Sequence, residues 1–154
     1  MDTLGNYLTQ DHQRCDLLLR GTEQLVGAGL WLEARREMAA FQYALERHLL
    51  IEERIVFPAF ESALGHAASP TAAMRAEHLR IRAVAQRLMD AVDAVSAHDF
   101  VKHAEALLLT MHLHSEKEEG VLFPMIERVL ARRCPDLLRA ARTFGAWDER
   151  ASAA

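Results

Sequence analysis

The chain has 154 residues, 51% of them apolar and 26% charged, with a formal net charge of −4 at pH 7. That length holds one domain with a real core, and the composition excludes disorder for all but the last residues, 149–154. The mild acidity leaves no basic footprint for nucleic acid. No apolar run approaches the ~20 residues that a membrane helix needs. The start of the chain, Met1 to Asn6, has no basic stretch followed by an apolar one, so no signal peptide is expected. Two cysteines, Cys15 and Cys134, make no disulfide framework, and the expected compartment is the cytosol.

Strand signals are weak and helix signals strong, so the expected fold is all-α. The first helix is predicted over 9–27, with Leu8, His12, Cys15, Leu19, Thr22 and Val26 on one stripe. Gly27 to Gly29 ends it. The second is predicted over 31–63, its stripe running Met38, Phe41, Leu45, His48, Glu52, Ile55 and Ala59. A loop follows over 64–70, where Ser69 suits an N-cap and Pro70 a first helical position.

The third helix is predicted to run to 95, with Met74, His78, Ile81, Ala85, Leu88 and Val92 inward. A short turn over 96–99 leads to a fourth helix that Asp99 can cap. That helix is predicted to end at 132, with Ala104, Leu107, Met111, His114, Glu118, Val121 and Met125 inward. Short connections between long amphipathic helices predict an up-down-up-down antiparallel four-helix bundle. A short fifth helix over 135–144 is expected to cover one end. The expected domain is 1–148, with 149–154 a flexible tail.

The two halves repeat. A shift of 66 residues brings His12 onto His78, His48 onto His114, Glu52 onto Glu118 and Glu53 onto Glu119. It also brings Phe57-Pro58 onto Phe123-Pro124 and Glu61 onto Glu127. Each half is a helix hairpin with one histidine on its first helix and His-x-x-x-Glu on its second. Such self-similarity predicts two copies of one unit facing each other across the bundle. In His-x-x-x-Glu the two side chains lie about 40° apart around the helix, one turn above the other. Four imidazoles and two carboxylates then converge at one level of the interior. A lone inward histidine is usually a satisfied core residue, but two facing buried carboxylates repel and lose their hydration without return. A metal pair resolves that conflict, because carboxylates bridge and imidazoles donate lone pairs. The candidate ligands are therefore His12, His48, Glu52, His78, His114 and Glu118.

The pattern His12 … His48-x-x-x-Glu52 … His78 … His114-x-x-x-Glu118 resembles the hemerythrin-like family, the HHE cation-binding domain. Asp11-His12, Glu77-His78 and the Glu-Glu-x-x-x-Phe-Pro segments look like the family as well. The resemblance covers roughly residues 8–130. It implies a non-haem di-iron centre, two iron ions with an oxo or hydroxo bridge. Family members carry, store or sense oxygen, sense iron, handle nitric oxide or repair iron centres. The implied partner is a small diatomic ligand, oxygen or nitric oxide.

One departure from the oxygen carriers stands out. They have a fifth histidine one turn before the third-helix ligand, where this chain has Met74. A thioether is soft and suits iron poorly. With four histidines, two bridging glutamates and an oxo bridge, each iron has five donors and about one open octahedral position. That favours sensing or small-molecule chemistry over oxygen storage. Two other classes stay open: a di-iron oxidase or peroxidase-type enzyme, and a regulatory interaction module stabilised by metal, with Trp31, Trp147 or the last helix at a partner surface. The ferritin-like oxidases use Glu-x-x-His, and no glutamate here has a histidine three residues later.

The remaining polar positions read as follows. Glu53 and Glu119 face a neighbouring helix, as acceptors for a ring N–H rather than as ligands. Cys15 is a small buried residue, with a redox or nitric-oxide role as the alternative. Tyr43 lies off the inward stripe. His66 and His98 fall in loops, His112 points away from His114, and His103 is three turns from it. Pro58 and Pro124 each remove a helix hydrogen bond and should bend the two long helices just past their glutamates.

Overall fold

A computed structural model of the chain describes residues 2–65 and 69–145. Helix α1 spans Leu4–Gly27, beginning five residues earlier than the stripe predicted. Thr3 sets that start: its hydroxyl accepts the backbone N–H of Asn6 at 3.0 Å. Leu4 and Leu8 then carry the apolar stripe to the end of the bundle. At its C-terminus Gly29 turns left-handed (φ +73°) and the Leu30 N–H returns to the Leu25 carbonyl at 2.9 Å.

Helix α2 spans Trp31–Ile51, and α3 spans Phe57–Leu64. Between them Glu52–Val56 forms a π-helical turn, closed by the Phe57 N–H on the Glu52 carbonyl. Helix α4 spans Ser69–Asp93, α5 Ala97–Lys117, α6 Phe123–Val129 and α7 Cys134–Thr143. A second π turn, Glu118–Leu122, joins α5 to α6 and is closed by the Phe123 N–H on the Glu118 carbonyl. The disturbance expected at Pro58 and Pro124 therefore appears as a π turn immediately before each proline.

A π turn holds one residue more than an α turn, so everything beyond it rotates about the axis. The predicted stripes are corrected accordingly. Val56 is buried where Ile55 was expected, and Ile126 where Met125 was expected. Val121 is 58% exposed, and its neighbour Leu122 is 2% exposed. Past each glutamate the most buried positions shift by one residue, although Ala59, expected inward, is buried beside Phe60.

Other boundaries also move. Helix α4 ends two residues early because Val95 adopts φ +54° and the Ser96 N–H returns to the Ala91 carbonyl at 2.9 Å. Ser96, not Asp99, caps α5: its hydroxyl accepts the Asp99 N–H at 3.3 Å. Asp99 sits instead in the first turn, where a negative charge suits the helix dipole. His98 lies in that same turn rather than in a loop, and is exposed. The last stretch of the predicted fourth helix turns after Val129, and α7 follows, within one residue of the predicted fifth helix at each end. The Ser69 side chain, on which its capping role depends, is not described, and His66, Trp147 and the tail 149–154 lie outside the described residues.

Helix α1 packs on α2 and α5, and α4 packs on α5 and α2, while α6 and α7 close against α1. Two apolar clusters result. One contains Cys15, Leu19, Phe41, Leu45, Ile81, Leu88 and Leu107. The other contains Leu4, Leu8, Ile51, Phe57, Met74, Leu122 and Phe123. The chain order places a polar layer between them. On α1 His12 falls between Leu8 and Cys15, and on α4 His78 falls between Met74 and Ile81. Among the described residues no strand occurs, and no helix is long and apolar enough to cross a membrane.

Candidate metal centre

The six residues singled out by the repeat meet in that layer. Glu52, Glu118 and His78 have no solvent-exposed side-chain surface, and His48 and His114 are buried. Each glutamate spans both hairpins. Glu52 Oε1 lies 2.9 Å from His48 Nε2 and 3.5 Å from His78 Nε2. Glu118 Oε1 lies 3.1 Å from His114 Nε2 and 3.0 Å from His12 Nε2. Imidazoles pair across the hairpins' own helices, His12 with His48 (ring centroids 4.7 Å) and His78 with His114 (5.0 Å). Donor atoms of Glu52, His78, His114 and Glu118 fall within 4.8 Å of one another, and His12, His48 and Glu118 form a second such group.

Each imidazole is oriented from behind. The Nδ1 of His48 faces Asp11 at 3.2 Å, and that of His114 faces Glu77 at 3.0 Å. The Nδ1 of His78 faces Glu53 at 2.7 Å, and that of His12 faces Glu119 at 2.9 Å. A carboxylate accepts, so each Nδ1 carries the proton and donates it. That leaves each Nε2 as a lone pair pointed into the cluster. Glu53 and Glu119 thus do what their position next to Glu52 and Glu118 foretold. Asp11 and Glu77 were missed in this role. The signal was present: each precedes the first histidine of its half and recurs after 66 residues. The Phe-Pro repeat has a role too, because Phe123 stacks on His12 (5.7 Å) and Phe57 on His78 (5.8 Å).

The electrostatics are those of a site built around a cation. Both oxygens of Glu52, Oε2 of Glu118 and the Nε2 atoms of His78 and His114 are buried without a hydrogen bond. Their short contacts lack hydrogen-bonding geometry, and one buried polar group left so costs about 1–3 kcal/mol. Among protein groups alone, burial and then the charge of Glu118 push Glu52 well above the carboxylate range. Burial acts on Glu118 too, but its close contacts with Glu52, His114 and His12 hold it well below that range. Two carboxylates split in this way cannot both ionise unless a positive charge lies between them.

The hemerythrin HHE cation binding domain model matches residues 3–126 and, in a second overlapping match, 69–146. The chain belongs to the hemerythrin HHE family. No curated protein and no solved structure matches it. Membership and geometry agree on the same layer: an HHE cation-binding domain with a buried histidine and glutamate cluster able to hold metal.

The other sequence candidates fall outside the cluster. His112 is exposed and lies 3.3 Å from Glu116 on its own helix. His103 is half-buried and joins neither donor group. Tyr43 is exposed. Cys15 is buried, and burial followed by the charge of Asp11 pushes its thiol up to about 12, so it stays protonated and inert at neutral pH. Met74 is buried in the apolar cluster one turn from His78.

Proposed function

We propose that this HHE domain holds two iron ions between His12, His48, Glu52, His78, His114 and Glu118, and uses them to bind, sense or handle oxygen, nitric oxide or iron itself. The carrying observation is the set of buried donor atoms without hydrogen bonds, ringed by four imidazoles whose Nδ1 atoms are committed elsewhere. Nitrogen donors from four histidines with two carboxylates suit iron. An iron pair bound there, joined by an oxo or hydroxo bridge, would supply electrons and open coordination positions for a diatomic ligand.

The protein's own groups supply the rest. Asp11, Glu53, Glu77 and Glu119 keep the imidazoles in one tautomer and one orientation. The two apolar clusters exclude water from both faces of the layer. Met74 adds bulk and no hard donor where the carriers have a fifth histidine, which favours an open, sensor-like site over oxygen storage. We read the helix order as up-down-up-down, because tight turns at Gly29 and Val95 join successive long helices. Two free cysteines fit a reducing cytosol.

Anaerobic iron loading followed by optical spectra tests the reading. About two irons per chain are expected, with spectra that change on adding oxygen, nitric oxide or peroxide. One iron or none overturns the dinuclear reading. An unresponsive two-iron centre points instead to an interaction module that uses metal for stability.

A further inference from the structure

The four carboxylates behind the imidazoles are not held alike. Asp11 is paired with Arg14 at 2.7 Å, and Glu77 with Lys117 at 2.8 Å. Glu53 is gripped by both arms of Arg82, at 2.8 and 3.0 Å, and Arg82 is anchored in turn on Glu46 at 3.0 and 3.1 Å. Among the described residues no lysine or arginine pairs with Glu119. The repeat shows why. The position matching Arg82 in the first half is Asp16, and the position matching Glu46 is His112. Asp16 is itself taken by Arg20 at 2.9 Å and brings no cation to Glu119.

Exposure follows the same division. The His78 side chain is fully covered and Glu53 is 18% exposed, whereas His12 is 10% and Glu119 39% exposed. A groove of about 280 Å³ opens on that edge, lined by His12, Gln13, Asp16, Ser115 and Glu119 among others. Where Ser115 faces this groove, its counterpart in the other half is the buried Leu49.

We infer that the two metal positions are kinetically unequal: the one held by His12 and His48 exchanges through the groove beside Glu119, and the one held by His78 and His114 is retained. The inference rests on the two-iron reading above. A metal ion leaves when a protein donor turns away and water takes its place. The His78 ring cannot turn without breaking its bond to a carboxylate fixed by a two-armed guanidinium in a covered setting. The His12 ring is tied to an unclamped, solvent-facing carboxylate beside a groove that opens to solvent.

The test uses the whole chain loaded anaerobically with ferrous iron and mixed with excess ferrous chelator, release being followed by absorbance. Two phases of equal amplitude are expected, differing about tenfold or more in rate, the scale by which such supporting contacts act on metal sites. Asp16→Arg combined with Arg20→Gln copies Arg82 and Gln86 into the first half, and should slow the fast phase towards the slow one. Glu119→Ala should speed the fast phase alone. Arg82→Leu should speed the slow phase alone. Because that variant disturbs a half-buried network, the two first-half variants carry the decision if it fails to load iron. Two irons released in a single phase, or a fast phase indifferent to both first-half variants, overturn the inference and leave the two-iron reading standing. A loaded content of one iron or none overturns that reading, and the inference with it.

Discussion

The two hairpins carry the same inner surface and different outer ones. In the layer between the apolar clusters, every polar residue of the first half has its counterpart in the second, including the carboxylate that orients each imidazole. Away from the layer the copies part. Gly29 and Val95 occupy matching turns and close them with matching hydrogen bonds, yet one is glycine and the other β-branched. Asp16 stands where Arg82 stands, Ser115 where Leu49 stands, and Cys15 where Ile81 stands. The difference teaches that chemistry pinned the interior of the repeat, where a mismatched donor costs the site. The rim was free to diverge, and there the divergence sets which edge opens to solvent.

The largest effect is expected from breaking the layer itself. Glu118→Gln removes a charge that touches both hairpins and should lower iron from about two per chain to below one. It should also abolish most of the metal-dependent thermal stabilisation, which reaches about 4 kcal/mol when free metal is a thousandfold above its dissociation constant. His112→Ala, on the same helix but facing solvent, should change neither. Iron analysis and thermal melts with and without chelator check this, and equal losses in both variants would refute the ligand assignment.

Next in size is the register set by the π turns. Leu122→Ala should cost about 3 kcal/mol as a buried leucine truncation. Val121→Ala next to it should stay within about 0.5 kcal/mol. Denaturant unfolding of the two variants tests this register, since an uninterrupted α-helix reverses the order.

The matching turns sharpen the comparison at a smaller scale. Val95→Gly should stabilise the protein by about 1 kcal/mol by relieving a left-handed β-branched residue. Gly29→Val should destabilise it by about 2 kcal/mol through backbone strain alone, because nothing lies within 4 Å of the added Cβ. Val95→Gly without stabilisation would show that the turn is held by its packing rather than against its backbone preference.

The smallest effect concerns Cys15. With its thiol raised to about 12, native protein at pH 8 should alkylate at Cys134 first and leave Cys15 intact. The thiolate population of Cys15 falls about a thousandfold below that of an ordinary thiol. Mass spectrometry of the partly alkylated protein measures this. Prompt modification of Cys15 in folded protein would reopen a redox role for it.

By itself the sequence determined the helical class, the repeat and the six residues that meet in the layer. These rest on local periodicity and on donor types, which survive any small error in helix ends. The stripes failed in one direction only, downstream of Glu52 and Glu118. A π turn leaves no mark in a 3.6-residue pattern until the residues past it are seen to pack, and the neighbouring prolines announced a disturbance without saying that it adds a residue. Capping at Thr3 and Ser96 was equally local, but several short polar residues compete at each helix start and the backbone geometry chooses among them. Only the tertiary structure decided which carboxylate stands behind which imidazole. Asp11 serves His48, and Glu119 serves His12 from another helix, 107 residues away. Such pairings come from helix packing, which brings together side chains that share no spacing in the chain. The unclamped edge at Glu119 belongs to the same class of fact: the absence of an arginine matters only once the fold has shown where one would have to stand.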